Sequence, residues 1–267
     1  MTPWRLLKLD TNDASANMAI DEAIMRARIK ELVPNTVRFY RWNPSAVSIG
    51  RFQDISNEVY IENCQRNHVD IVRRITGGGT VYHDSEDEIT YSVIVKEEDL
   101  GTQDVVAAYN TISNGLIEAA KILGVNANFD PGDPRNCPNI AIEGKKISGS
   151  AQFHKSGVLL QHGTFLLNVN LTKMFTFLKV PWAKTISDVI CVASEKITSI
   201  KNELASNIAV KEAHKSLIKG FQKAFAVDFS EEKPLTTYER KLAKTLKKEK
   251  YETNEWNLTG KTQLSQR

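Results

Sequence analysis

The chain has 267 residues, 41% hydrophobic and 25% charged, an ordinary balance for a globular protein long enough to bury a sizeable core. No apolar run approaches the roughly 20 residues of a transmembrane helix, so no membrane partner is expected. The net charge of +3 comes from 35 basic and 32 acidic residues, nine and six of which follow residue 230, and that excess is too small for a nucleic-acid footprint. Cys64, Cys137 and Cys191 are odd in number and widely spaced, so they suggest neither a disulfide framework nor a zinc site. No apolar stretch of signal-peptide type follows Met1-Thr2-Pro3-Trp4-Arg5, and a reducing cytoplasm is the expected setting.

In chain order, Trp4–Leu9 predicts a short strand. Asp13 or Ser15 can cap a helix running to about Leu32. Thr36–Trp42 carries aromatics on both parities and predicts a strand buried on both faces. After Asn43-Pro44, Ala46–Gly50 predicts another strand, followed by Arg51-Phe52-Gln53-Asp54 and a helix over about 57–67. Ile71–Asp84 then reads as strand, glycine loop, strand, and Ile89–Val95 as a further strand. Residues 104–123 predict an amphipathic helix closed by Gly124. Asn139–Ile142 and Lys146–Ala151 flank Glu143-Gly144-Lys145, the signature of a tight hairpin. A strand pair over 157–170, broken near His162-Gly163, follows, and after residue 171 the pattern is helical. The sum is an α+β chain with a largely antiparallel sheet covered by helices.

Two stretches stand out chemically. In Arg73-Arg74-Ile75-Thr76-Gly77-Gly78-Gly79 the glycines allow a ligand to approach the backbone, and two guanidiniums add fork-shaped donors for a phosphate or carboxylate. A flexible hairpin loop is the plain alternative. Lys146 follows a turn and precedes the small residues Gly149, Ser150 and Ala151, so its ammonium could bridge a carboxylate and a phosphate; a surface lysine is the plain alternative. His162, before Gly163 and Thr164, is either a partner of Lys146 or a structural histidine. Templates for a P-loop, a dinucleotide fold, a hydrolase elbow and a protein-ligated metal are all missing.

Arg73-Arg74-x-Thr-Gly77-Gly78-Gly79-x-Val81-x-His83-Asp84, then Lys146-Ile-Ser-Gly149-Ser150-Ala151-Gln152, then His162-Gly163-Thr164, in this order, resemble the lipoate–protein ligase A family and its octanoyltransferase relatives. The resemblance runs from Trp4 to about Asn257. It implies one catalytic domain over residues 1–267, helical from about 172 to 257, with a central, mostly antiparallel mixed sheet flanked by helices, the class II synthetase-like fold shared with biotin ligases. It implies ATP with its Mg2+ and lipoate as substrates, a lipoyl-AMP intermediate, and transfer to a lysine of the lipoyl domains of 2-oxoacid dehydrogenase complexes or of a glycine cleavage H protein. Lys146 would be catalytic. Arg73, Arg74, Gly77, Gly78, Gly79, Val81, His83, Asp84, Gly149, Ser150, Ala151, His162, Gly163 and Thr164 would hold the lipoate and adenylate, with Arg51, Gln53 and Asn139 as further candidates.

Two departures from the ligase pattern qualify that implication. The chain stops near residue 267, short of the accessory domain of full-length ligases, so a separate small accessory subunit is expected. Cys137 stands in a loop where ligases read Arg-Asn-Asp, and octanoyltransferases of the superfamily use such a cysteine as acyl nucleophile. The intact third glycine, Gly79, weighs toward the nucleotide, so ATP-dependent lipoate ligation is the main expectation and thioester transfer of octanoyl through Cys137 the alternative.

Overall fold

The computed structural model describes residues 3–102, 104–132, 138–183 and 185–261. Strand β1 (Trp4–Leu7), strand β2 (Asp10–Asn12) and helix α1 (Ala14–Ile29) lead into β3 (Asn35–Trp42). The Asp13 side chain accepts the Ala16 amide and caps α1, one of the two starts that the sequence offers. Then come β4 (Ala46–Ile49), α2 (Ile55–Glu58), α3 (Ile61–Arg66), β5 (Asp70–Arg73), β6 (Val81–His83), β7 (Glu88–Lys96) and α4 (Val105–Ile122). Strands β8 (Asn128–Asp130), β9 (Asn139–Ile142), β10 (Lys145–Lys155) and β11 (Val158–Leu166) precede α5 (Leu171–Phe177), α6 (Ile186–Ser194), α7 (Ile200–Leu204), α8 (Val210–Phe225), β12 (Glu232–Lys233) and α9 (Thr237–Leu246).

The large sheet runs β12-β1-β3-β7-β11-β10-β9-β8, with β2 beside the end of β3. It is mixed: β1 and β2 pair parallel with β3, and the run from β3 to β8 is antiparallel. The aromatics of β3 divide between its faces as the sequence predicts. Val37 and Phe39 pack toward α4 and α8, while Tyr40 and Trp42 pack toward α1. Each fully buried large apolar side chain stabilises this three-layer arrangement by about 1.5–3 kcal/mol. A smaller sheet, β5-β4-β6, has its own apolar cluster, with Ile55, Val59 and Phe177 covering Val47 and Ile49.

Several local expectations change. The segment after Asp54 is two short helices rather than one over 57–67. The glycine loop is not a hairpin, because β4 lies between β5 and β6 and the loop crosses its end. Strand β11 is not broken at His162-Gly163: it pairs continuously with β7 from Val158 to Leu166, and the turn is instead Ser156-Gly157, both at positive φ. Glu143-Gly144 makes the expected tight turn, again with both φ positive.

Candidate active site

The site grows from a change of polarity along the α1-facing side of the large sheet. There Ile94, Leu160 and Phe153 pack into the apolar layer beneath α1. Two residues further along each strand stand Ser92, His162 and Ala151, and the cross-strand register aligns Arg38, Ser92, His162 and Ala151 in one row. The next row holds Tyr40, Thr90 and Thr164, and Thr164 Oγ1 accepts the Gly149 amide at 3.3 Å.

Helix α1 lays Asp21 across the first row. Its carboxylate accepts from Arg38 Nη1 at 2.8 Å, Ser92 Oγ at 2.9 Å and Tyr40 Oη at 3.1 Å, and meets His162 Nδ1 at 3.1 Å. Burial pushes this carboxyl up, but the Arg38 guanidinium and His162 outweigh it and hold it below the usual range. Burial also holds the His162 imidazole below its ordinary value, against the pull of Asp21. A neutral His162 that donates from Nδ1 to Asp21 then accepts the Thr76 hydroxyl at Nε2, at 2.8 Å.

A second histidine repeats the arrangement. His83 Nδ1 meets Glu88 Oε1 at 2.8 Å, His83 Nε2 meets Ser48 Oγ at 2.8 Å, and the ring stacks on Trp42 at 4.1 Å. Thr90 also donates to Glu88, and Trp42 Nε1 donates to Thr90.

The two adjacent arginines do different work. Arg74 Nη1 donates to the Ser48 carbonyl and hydroxyl, its Nε to Thr76 Oγ1, and its Nη2 to the carbonyls of Gly77 and Gly79. Arg73 is 1% exposed, and its guanidinium donates to the carbonyls of Gly50, Arg51 and Gln53 on one side and of Trp256, Asn257 and Leu258 on the other. It rivets the C-terminal segment to the turn after β4. That turn braces the glycine loop: a side chain at Gly50 would stand 2.0 Å from the Gly78 carbonyl oxygen.

Lys146 enters from the opposite wall. The β9–β10 register slips between Lys146 and Ser148, and the Lys146 backbone bonds instead to Lys196 and Thr198. A bulge of this kind re-aims a side chain. The ammonium lies over Gly149, where an added Cβ would stand 2.5 Å from Nζ. Gly163 is needed for a different reason, since a Cβ there would meet the Gly149 carbonyl oxygen at 2.3 Å.

These walls enclose a cavity of about 480 Å³. Of the residues predicted for the site, Arg74, Gly78, Gly79, Val81 and His83 line it from one side. Asn139, Lys146, Gly149, Ser150, Ala151, His162, Gly163 and Thr164 line it from the other. The rest stand elsewhere. Arg73 is consumed by carbonyls, and Arg51 stacks over Trp256 at 4.5 Å. Gln53 Oε1 accepts the Gly50 amide and the Thr80 hydroxyl. Asp84 pairs with Lys173 on α5 at 2.7 Å, and Gly77 lies outside the lining. Cys137 falls outside the described residues. Sequence reading missed Asp21, Ser48, Gly50, Thr76 and Glu88. The one available signal was the acidic pair Asp21-Glu22 within the apolar stretch Met18–Met25, since buried carboxylates demand partners.

Residues 13–222 match the family described as the lipoyl protein ligase A/B catalytic domain. The chain belongs to that family. A curated relative from Clostridioides difficile (strain 630), octanoyltransferase LipM, is 35% identical over 96% of this chain and 99% of its own length. The LipM of Bacillus subtilis (strain 168) is 32% identical over 95% and 97%. Among solved structures, a bi-partite lipoate protein ligase of Thermoplasma acidophilum superposes with a TM-score of 0.83 at 30% identity, covering 97% of both chains. A lipoate-protein ligase A bound with ATP also reaches 0.83, at 30% identity over 95% and 98%. The α+β ligase-type fold and membership of the lipoate ligase and transferase enzymes therefore stand.

The expectation of ATP-dependent lipoate ligation does not stand. Eight curated relatives, 32–35% identical over 95–97% of the chain, all carry the name octanoyltransferase LipM. The argument that pointed to a nucleotide, the intact Gly79, fails on physical grounds as well. A side chain at Gly77 or Gly79 would meet nothing within 4 Å. Open space beside a loop admits any ligand and does not select a nucleotide.

Proposed function

We infer that this chain transfers an octanoyl group from the thioester of an acyl carrier protein to a lysine of a lipoyl domain, by way of a thioester on Cys137. The observation that carries this reading is the near full-length likeness to the octanoyltransferases. The acceptor class is supported by the Thermoplasma acidophilum structure, whose description pairs the ligase with its E2 lipoyl domain. The whole chain would act as one catalytic domain, with the helical part from about 172 to 257 supplying the segment that grips Arg73.

In the first step the Cys137 thiolate attacks the octanoyl carbonyl. The bond from that carbonyl to the carrier sulfur breaks, and the carrier thiolate leaves to take up a proton. In the second step the acceptor lysine amine attacks the Cys137 thioester, the bond to Cys137 sulfur breaks, and the amine proton passes to the released thiolate. Neither step consumes ATP, because a thioester is already an activated acyl donor. An accessory adenylating subunit therefore has no step to serve. Both steps pass through an oxyanion, and the Lys146 ammonium on the cavity wall is the group suited to stabilise it. Cys137 precedes Asn139, a lining residue, by two positions in the sequence. His162 and His83 have both ring nitrogens engaged, so they shape the cavity rather than shuttle protons.

The test supplies octanoyl-carrier protein and a lipoyl domain without ATP. Wild type should transfer octanoyl and show an intact-mass increase of one octanoyl group that hydroxylamine removes. Cys137→Ala should do neither. Transfer that needs ATP, or that survives Cys137→Ala, refutes the reading.

A further inference from the structure

Two buried side-chain chains, from different parts of the fold, end on the same guanidinium. One starts at Asp21 on α1 and runs through His162 on β11 to the Thr76 hydroxyl, which accepts from Arg74 Nε at 3.1 Å. The other starts at Glu88 on β7 and runs through His83 on β6 to the Ser48 hydroxyl, which accepts from Arg74 Nη1 at 3.2 Å. Each chain has the order carboxylate, imidazole, hydroxyl. The remaining Arg74 nitrogen, Nη2, holds the carbonyls of Gly77 and Gly79, at 2.8 and 2.6 Å.

This arrangement is more than burial requires. Satisfying an arginine needs only carbonyl oxygens, as Arg73 shows one residue earlier. Around Arg74 two hydroxyls, themselves fixed, join the carbonyls of Ser48, Gly77 and Gly79. An imidazole anchored at Nδ1 by a carboxylate presents Nε2 as an acceptor, so each hydroxyl must point its proton at the ring and turn a lone pair to Arg74. A guanidinium is planar, so fixing Nε and Nη1 also fixes the direction of Nη2. Both carboxylates are anchored independently of the loop, Asp21 by Arg38 and Tyr40, and Glu88 by Thr90.

We propose that Arg74 is the positioning residue of the glycine loop, aimed by two independent carboxylate–histidine–hydroxyl relays, Asp21–His162–Thr76 and Glu88–His83–Ser48. The relays carry the geometry of the large sheet to a loop that has no pairing strand of its own. With the carbonyls of Gly77 and Gly79 held, the loop keeps one shape as the wall facing Lys146. Its consequence for octanoyl transfer rests on the reading given above, whereas its consequence for the loop does not.

The experiment measures amide hydrogen exchange of residues 77–80 in the full chain, which needs no substrate, together with transfer activity. Ser48→Ala and Thr76→Val each remove one hydroxyl. Each is expected to raise exchange in the loop by about tenfold, the factor that one lost hydrogen bond of average strength produces. Exchange in β3 and β7 should stay unchanged. Thr76→Ser, which keeps the hydroxyl, should restore protection. In an Arg74→Lys background, where the fork is lost, Ser48→Ala and Thr76→Val should add nothing further. Unchanged loop exchange in either single variant, or effects that persist in full in the Arg74→Lys background, overturns the proposal. Loop exchange that behaves as expected in a chain without octanoyl transfer would instead refute the transferase reading and leave the role of Arg74 intact.

Discussion

On one wall of the cavity the charged and imidazole groups are each held several times over. Arg74 meets two hydroxyls and three carbonyls, His83 is bonded at both nitrogens, and the turn behind the loop has three carbonyls gripped by Arg73. On the other wall Lys146 stands on a strand bulge, its ammonium reached by a four-carbon stem and lying where a Cβ at residue 149 would be. The contrast separates two tasks. A wall that defines the shape of a substrate gains from rigidity, whereas a charge that, on the proposed reading, meets an oxyanion in both steps gains from a long stem.

That contrast can be broken or sharpened by substitution. The largest expected effect is that of Gly163→Ala, which drives a Cβ into the Gly149 backbone where neither strand can yield. It should cost about 3 kcal/mol, the upper part of the range for overpacking, read as a lower midpoint in urea unfolding. Arg73→Lys should cost about 2 kcal/mol, because one ammonium cannot reach carbonyls on both sides. Faster tryptic cleavage after Lys250 and Lys261, in step with that loss, would mark release of the C-terminal segment.

Gly149→Ala should change stability by less than about 1 kcal/mol, since the added Cβ meets the far end of the Lys146 side chain rather than backbone. It should nevertheless lower kcat for octanoyl transfer by about tenfold or more by displacing the ammonium. A normal kcat in that variant would remove Lys146 from the chemistry. The histidines predict a pH effect. Burial holds His162 and His214 below their ordinary value of 6.5, so the unfolded chain binds more protons as pH falls past that value. Stability should therefore decline below about pH 6.5, and a melting temperature that stays flat from pH 7 to 5 would contradict it. The smallest expected change belongs to Asp84→Asn. Its pairing with Lys173, which is 44% exposed, is worth less than about 1 kcal/mol, and transfer should be unaffected.

Much of the fold was legible because local physics dictated it. The two-faced apolar pattern of Thr36–Trp42, the Asp13 cap and the Glu143-Gly144 turn each record a nearby constraint. The site was legible in part. Lys146, Arg74 and the Gly149–Ala151 run line the cavity, while Arg73, Asp84, Arg51 and Gln53 share their motifs but stand outside its lining, engaged with other protein groups. Asp21 and Glu88 went unseen, because a carboxylate in a helix or strand carries no mark of the histidine it will meet from 141 or five residues away.

The sequence alone determined most element types and the class of fold, because periodicity, caps and turn residues act over a few positions, and its motifs marked the two stretches that line the cavity. Tertiary structure alone decided that β4 would pass between β5 and β6, and that neighbouring arginines would diverge into a rivet and a loop holder. It also brought two carboxylates to one guanidinium through two histidines. Those outcomes depend on strand order and cross-strand register, which bring together residues far apart in the chain, and no local preference encodes them.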